Sequence, residues 1–260
     1  MTQTKNSNES RIVEAFRQAA SGTQPAWLPP LRSAAIATFS ELGFPTLRDE
    51  DWRFTNVAPI AGLPFQPARA AAVNGVESKT LSEATFAALP GCRLVFVNGF
   101  FVPKLSRIEK IPNGARVESL AAALAGDSPL IEKYLGKYAL TADNAFAALN
   151  QAFFADGAFI SIPTGIEIAD PIQLIYISSA KQNGETSQPR NLIIAGANSK
   201  TTIIESYLST GDVASFTNAV TEIIAGDNAA IEHIKLQDET ANAFHMATIA
   251  GEFGRASNVN

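Results

Sequence analysis

Few side chains in this 260-residue chain are of the kind that does chemistry unaided. There is one cysteine, Cys92, and there are two histidines, His233 and His245. A lone thiol closes no internal disulfide. One Cys and two His cannot build a four-ligand zinc site or a four-cysteine cluster site, so metal chemistry would need ligands from a partner or from residues beyond this chain. Either imidazole has the donor to bind a metal. His245, however, lies between Phe244 and Met246, and strand alternation over 231–236 puts His233 on the face of Ile231 and Lys235, opposite Ile234 and Leu236. A structural role is the favoured reading for both. Cys92 precedes a β-like run and reads as a small buried hydrophobe.

Two other segments invite a chemical reading. Asp49, Glu50 and Asp51 lie between Arg48 and Arg53, beside Trp52. Oxygen-rich metal sites use carboxylates, but adjacent acids rarely converge on one ion. Local ion pairs with the two arginines, and acidic charge at a helix start, are the simpler expectation. Gly136-Lys137-Tyr138 is not a phosphate loop, because it lacks the earlier Gly and the Ser/Thr after Lys. No residue is assigned a catalytic, cofactor-binding or metal-binding role.

Composition bounds the class. The chain is 46% hydrophobic, enough to bury a sizeable core, and its formal charge is −5. No dense Lys/Arg stripe offers a footprint for nucleic acid. The polar N-terminus has no apolar h-region, and no apolar run approaches the roughly 18 residues of a membrane span. A soluble, intracellular, cytoplasmic protein is expected.

The elements that must position these residues divide into two textures. Residues 9–20 read as a helix with an Ile12, Val13, Phe16 stripe and a stop at Gly22. A joint with Pro25, Pro29 and Pro30 leads to a second helix over 31–42, stopped by Gly43. Residues 58–75 read as a loop or linker. Asn98-Gly99 between the apolar runs 94–97 and 100–102 predicts a hairpin, since a type I′ turn needs φ > 0 at both central positions. Helices are predicted over 118–125, 129–138 and 143–154. From about Gly157 short β-branched runs take over, at 172–177, 192–194, 201–208, 220–224 and 231–236. Two domains are expected, a mostly helical one over 1–156 and a β-rich one over 157–260.

The β-rich part repeats faintly. Ile193-Ile194-Ala195-Gly196-Ala197-Asn198 recurs thirty residues on as Ile223-Ile224-Ala225-Gly226-Asp227-Asn228. Gly165 lies thirty-one residues before Gly196, and an Ile-Glu pair follows each copy, at Ile204-Glu205 and Ile231-Glu232. Strand, tight Gly/Asn corner, strand is the pattern of a parallel solenoid, whose coils bury their apolar faces only by stacking. On pattern alone a β-sandwich with a chance match stays open.

Ordered landmarks then carry a resemblance. The segment Gly43-Phe44-Pro45-Thr46-Leu47-Arg48-Asp49-Glu50-Asp51-Trp52-Arg53-Phe54-Thr55-Asn56-Val57 comes first, followed by Leu94-Val95-Phe96-Val97-Asn98-Gly99-Phe100-Phe101. Asn144–Asn150, Asp156–Pro163, Ile234–Glu239 and Ala243-Phe244-His245 complete the series. Together they resemble the SufB/SufD family, and the single cysteine and the Arg-Asp-Glu-Asp-Trp segment favour its SufD branch. The resemblance implies a helical N-terminal domain followed by the first coils of a right-handed parallel β-helix. It also implies a non-ATPase scaffold that works with SufB and SufC homologues, SufC supplying the ATPase. No cofactor is expected in this portion, and an iron–sulfur cluster only transiently in the full complex. Family members are considerably longer, so the chain is expected to be an N-terminal fragment whose partner interfaces lie mostly beyond residue 260. The competing readings are a β-helix carbohydrate-active enzyme, which would need clustered Asp, Arg or Lys on one solenoid face, and a self-associating structural solenoid.

Overall fold

The computed structural model describes residues 2–18, 24–70, 88–126 and 129–260, with 76, 81 and 86 between them. Gly22, the expected stop of the first helix, and residues 71–75 of the expected linker lie outside the described residues. Helices α1 (Thr2–Gln18), α2 (Leu28–Leu42), α3 (Ala58–Ala61), α4 (Leu120–Ala125), α5 (Pro129–Tyr134) and α6 (Ala145–Phe153) accompany thirteen strands among these residues.

Local chemistry sets the helix ends. α2 begins three residues before the expected start and takes Pro29 and Pro30 into its first turn, where the missing N–H groups have no intrahelical partner anyway. It ends at Gly43, at φ 64°, whose N–H donates to Phe39 O. The Asn144 side chain caps α6 by accepting from Ala147 N at 2.9 Å, a contact worth about 1 kcal/mol. The predicted helix over 118–125 is part strand. Glu118 and Ser119 close β4 (Arg116–Ser119), antiparallel to β5 (Ala158–Ile162), and the Ser119 hydroxyl then caps α4. α5 stops at Tyr134 rather than 138 because the following backbone turns its N–H groups onto Glu222.

The expected hairpin is present. β2 (Arg93–Val97) pairs antiparallel with β3 (Phe100–Phe101) across Asn98 and Gly99, at φ 50° and 82°. β2 also adds in parallel to β6 (Glu167–Ser178), so the hairpin extends a solenoid sheet.

From residue 159 to 259 the chain winds a β-solenoid of about three turns. One face stacks β5, β8 (Arg190–Ala195), β10 (Ser215–Ala225) and β12 (Ala243–Phe253), with β7 (Glu185–Ser187) on β10 and β1 (Gln66–Pro67) on β7. The other stacks β2, β6, β9 (Lys200–Ser209), β11 (Ala230–Asp238) and β13 (Asn258–Val259). The sequence repeat is the stacking register. Ile193, Ile194 and Ala195 lie beside Ile223, Ile224 and Ala225. Gly196 and Gly226 hold the corner because a Cβ there would meet backbone of the neighbouring coil at 2.5 and 2.6 Å. The left-handed position is the next but one, filled by Asn198 and Asn228, both at φ 57°, a conformation Asn tolerates better than most residues. Gly165, at φ 75°, corresponds to Asn198 rather than to Gly196. The two Ile-Glu pairs are out of register: Glu205 faces Lys235, and Glu232 faces Thr202. Glu205 is buried while Glu232 is exposed.

Every residue of β10 is buried, which follows from cover on both faces of the sheet. Ala219, Ile223 and Ala225 point into the solenoid core with Leu94, Ile160, Leu174 and Ile203. Phe216 joins the helical core of Ile12, Phe39, Phe146 and Leu149 on the outside. The helices thus cover the outer face of the first sheet. Each fully buried Phe there contributes about 1.5–3 kcal/mol relative to exposure.

A polar joint fixes that cover. Arg190 and Glu222 side chains are fully buried and meet at 2.6 Å. Glu222 also accepts from the backbone N–H groups of Gly136, Tyr138 and Ala139 at 2.8, 2.9 and 3.1 Å. Arg190 donates to Asn150 Oδ1 on α6, and the Asn150 amide donates to Pro189 O and Asn218 O. Burial raises the Glu222 carboxyl, but Arg190 and the backbone donors more than offset it and hold it below its usual range.

Candidate functional site

The interior of a solenoid is ordinarily apolar, and near the last described coils this one is not. Inward-facing positions follow strand parity. On β9 they are Ile203, Glu205 and Tyr207, and on β11 Ile231, His233 and Lys235. The row is led by an aromatic column. Phe96 stacks on Tyr176 at 4.8 Å and Tyr176 on Tyr207 at 4.9 Å, while His245 meets Tyr207 edge-on at 4.6 Å.

Glu205 is the centre. Its side chain is 2% exposed. It accepts from Asn191 Nδ2 at 3.1 Å, Thr221 Oγ1 at 2.9 Å and Tyr207 OH at 3.0 Å. His233 Nε2 lies 3.0 Å from it, but not along a straight hydrogen bond, so that nitrogen has no well-aligned partner. Burial raises the Glu205 carboxyl, and His233 with the hydroxyl donors brings it below the usual range. The same charge, added to burial, keeps the Tyr176 and Tyr207 phenols protonated.

A second cluster lies beside it. His245 Nδ1 is 2.8 Å from Glu239 Oε2, with side chains 5% and 3% exposed. His245 Nε2 is 2.8 Å from Lys235 Nζ. Lys235 also lies over the Tyr207 ring at 4.9 Å. Burial lowers the Lys235 amine, against the opposing pull of Glu205 and Glu239. The row therefore combines two carboxylates, two imidazoles and an amine in an enclosed setting. Such a set can accept, hold and pass protons.

The other residues singled out from the sequence lie elsewhere. Cys92 is buried in the solenoid core, and its thiol donates to Glu109 O at 3.0 Å. Burial raises it above the ordinary thiol value, so it is held as the less nucleophilic form. Asp49 accepts from the N–H and hydroxyl of Thr46 at 2.6 and 3.0 Å, a local turn at the start of the 3₁₀ segment Glu50–Trp52. Among the described residues Arg53 makes no ion pair with Glu50 or Asp51, and it lies over the exposed Phe54 ring at 5.4 Å. The segment is on the surface, where an ion pair is worth little. Gly136-Lys137-Tyr138 does form an anion-holding turn, with Gly136 at φ 75°. Its anion is the protein's own Glu222. Among the described residues no three His, Cys, Asp or Glu side chains are grouped to hold a metal ion. No described helix is long and apolar enough to cross a membrane.

Sequence reasoning placed His233 and Lys235 on one face but missed the meeting with Glu205, Glu239 and His245. The available signal was parity: an acid between Ile203 and Tyr207 on an inward-facing row. Residues 7–174 match the family model of the SufBD protein N-terminal region, and residues 176–260 match that of the SUF system FeS cluster assembly SufBD core domain. The chain belongs to the SufBD family.

Among SufBD relatives, an iron–sulfur cluster assembly SufBD family protein of Synechocystis sp. is 32% identical over 257 residues, 94% of this chain and 55% of the relative. The iron–sulfur cluster assembly protein SufD of Bacillus subtilis is 25% identical over 244 residues, covering 88% and 52%. The chloroplastic protein ABCI7 of Arabidopsis thaliana is 22% identical over 244 residues, covering 91% and 50%. The chain spans about half the length of the curated relatives it matches. Membership ties the chain to the SUF system of iron–sulfur cluster assembly.

Proposed function

We propose that this protein is a SufD-type, non-ATPase scaffold subunit that works in the cytoplasm with SufB and SufC homologues. In this reading the helical part ends and the solenoid begins at about residue 157. SufC supplies ATP hydrolysis, and iron and sulfur are cargo that the assembled complex joins into a cluster. The observation that carries the reading is the match to both SufBD regions, in order, along the chain. Two features support it. The one glycine–lysine turn is closed by Glu222, which leaves no phosphate seat there. The single cysteine is a buried, protonated thiol, which favours the SufD branch.

The test is co-expression of the full-length natural protein with SufB and SufC homologues from the same genome. Affinity capture through this subunit should recover both partners, with ATPase activity that depends on SufC. Failure of the complete chain to retain either partner would sink the reading.

A further inference from the structure

The Lys235 amine is the one lysine in the described residues with an imidazole at hydrogen-bonding distance, 2.8 Å from His245 Nε2. A protonated amine has only donors. At that separation Nε2 must offer its lone pair, so the ring proton sits on Nδ1. The partner on that side agrees, because Nδ1 faces the Glu239 carboxylate at 2.8 Å. Glu239 thus fixes the tautomer that points a free base at Lys235. Thr217 Oγ1 reaches the other Glu239 oxygen at 3.4 Å, and the edge-on Tyr207 ring holds the imidazole plane at 4.6 Å. The arrangement comprises a nucleophile, a base within reach of it, and a third group orienting the base.

We propose that Glu239, His245 and Lys235 form a relay that makes Lys235 a nucleophilic amine, a covalent modification site for small, uncharged acyl electrophiles. His245 takes a proton from Lys235. The amine lone pair forms a bond to the acyl carbon, the bond from that carbon to its leaving group breaks, and the leaving group departs with the bonding pair. The second amine proton passes to the departing group or to water, His245 later returns its proton to solvent, and a neutral amide remains. Electrophile charge and size follow from the surroundings. The titratable groups facing the amine are Glu205 and Tyr207 from β9, His233 from β11, Glu239 from the corner and His245 from β12. Two buried carboxylates, Glu205 and Glu239, face the amine and disfavour an anionic reagent, and the close packing of Tyr207 and His245 around it favours a small one. Burial, which lowers the amine from its ordinary value, acts in the same direction. This site is separate from the scaffold reading and stands or falls without it.

The test is competitive labelling of the full-length protein with trace acetic anhydride at pH 7, read lysine by lysine by peptide mass spectrometry. Lys104 and Lys200, both exposed, are internal references. Lys235 should be acetylated at least about tenfold faster than either, despite its burial. His245→Asn should bring it to the reference rate or below. Glu239→Gln should slow it severalfold and move the midpoint of its pH profile toward that of Lys104, with Lys104 itself unchanged. A native Lys235 no faster than Lys104 overturns the proposal whether or not a variant folds. So does a folded His245→Asn protein with an unchanged Lys235 rate.

Discussion

The joint around Arg190 and the row around Glu205 are both buried, and both set a carboxylate among donors on neighbouring coils. Their chemistry differs. At the joint the cation is an arginine, which stays charged at any working pH. Its carboxylate is filled by three backbone N–H groups from the turn after α5. Nothing there can change charge without breaking the cover of helices over sheet. In the row the basic groups are His233, His245 and Lys235, and one imidazole nitrogen has no well-aligned partner. The difference teaches that burial alone does not separate architecture from a site. Saturation with permanent charges marks the first, and incompletely satisfied, titratable groups mark the second.

The largest way to break the comparison is at the joint. Glu222→Leu leaves Arg190 charged and fully buried with only Asn150 to accept from it. The expected loss is about 3–5 kcal/mol, seen as a lower urea midpoint. Replacing both residues, Arg190→Leu with Glu222→Leu, should recover much of that loss, because the uncompensated charge goes too. Equal destabilisation of the single and double variants would mean that the joint acts through shape, not charge.

Next in size is the acid limb of the row. Glu205 ends below the usual carboxylate range in the folded protein, whereas the unfolded chain holds it near the ordinary value of about 4.3. Its contribution is therefore complete above about pH 4.3 and is lost as pH falls through the folded value, where the unfolded chain binds the extra proton first. Glu205→Gln should cost about 1–3 kcal/mol at pH 7 and should flatten the fall in urea midpoint between pH 5 and about 3. An unchanged acid slope would show that Glu222 and other carboxylates carry it all.

How much of this was legible in the sequence differs between the two regions for a physical reason. The corners were readable because close approach and left-handed geometry restrict residue type locally, as at Gly196 and Asn198. The hairpin at Asn98-Gly99 was readable for the same cause. The joint was not, because Glu222 reaches a turn 83 to 86 residues earlier. No local pattern marks that turn as an anion's seat once the phosphate-loop spacing is absent. The row was half legible. Parity put His233 with Lys235, but the bend at residues 239–242 that returns Glu239 and His245 beneath Lys235 carries no periodic signal. The Ile-Glu echo misled because Glu205 and Glu232 differ by twenty-seven residues, not the thirty of the stacking register.

The smallest effect is also the one that sharpens the contrast most. Burial lowers the Lys235 amine in the folded protein, while the unfolded chain keeps an ordinary lysine near 10.4. Between the folded value and about 10.4 the unfolded chain holds more protons, so stability rises with pH across that window and the cost of burying the charge is present below it. Lys235→Met should remove this alkaline rise and change stability at pH 7 by less than about 1 kcal/mol, since solvent screens a half-buried amine. Arg190, fixed in charge, gives the joint no counterpart to that slope. Urea midpoints from pH 7 to about 10 on native, Lys235→Met and Arg190→Leu/Glu222→Leu proteins should show the rise in the first and third and not in the second. A rise that survives Lys235→Met would place the titrating group outside the row and remove the distinction between a fixed joint and a protonic interior.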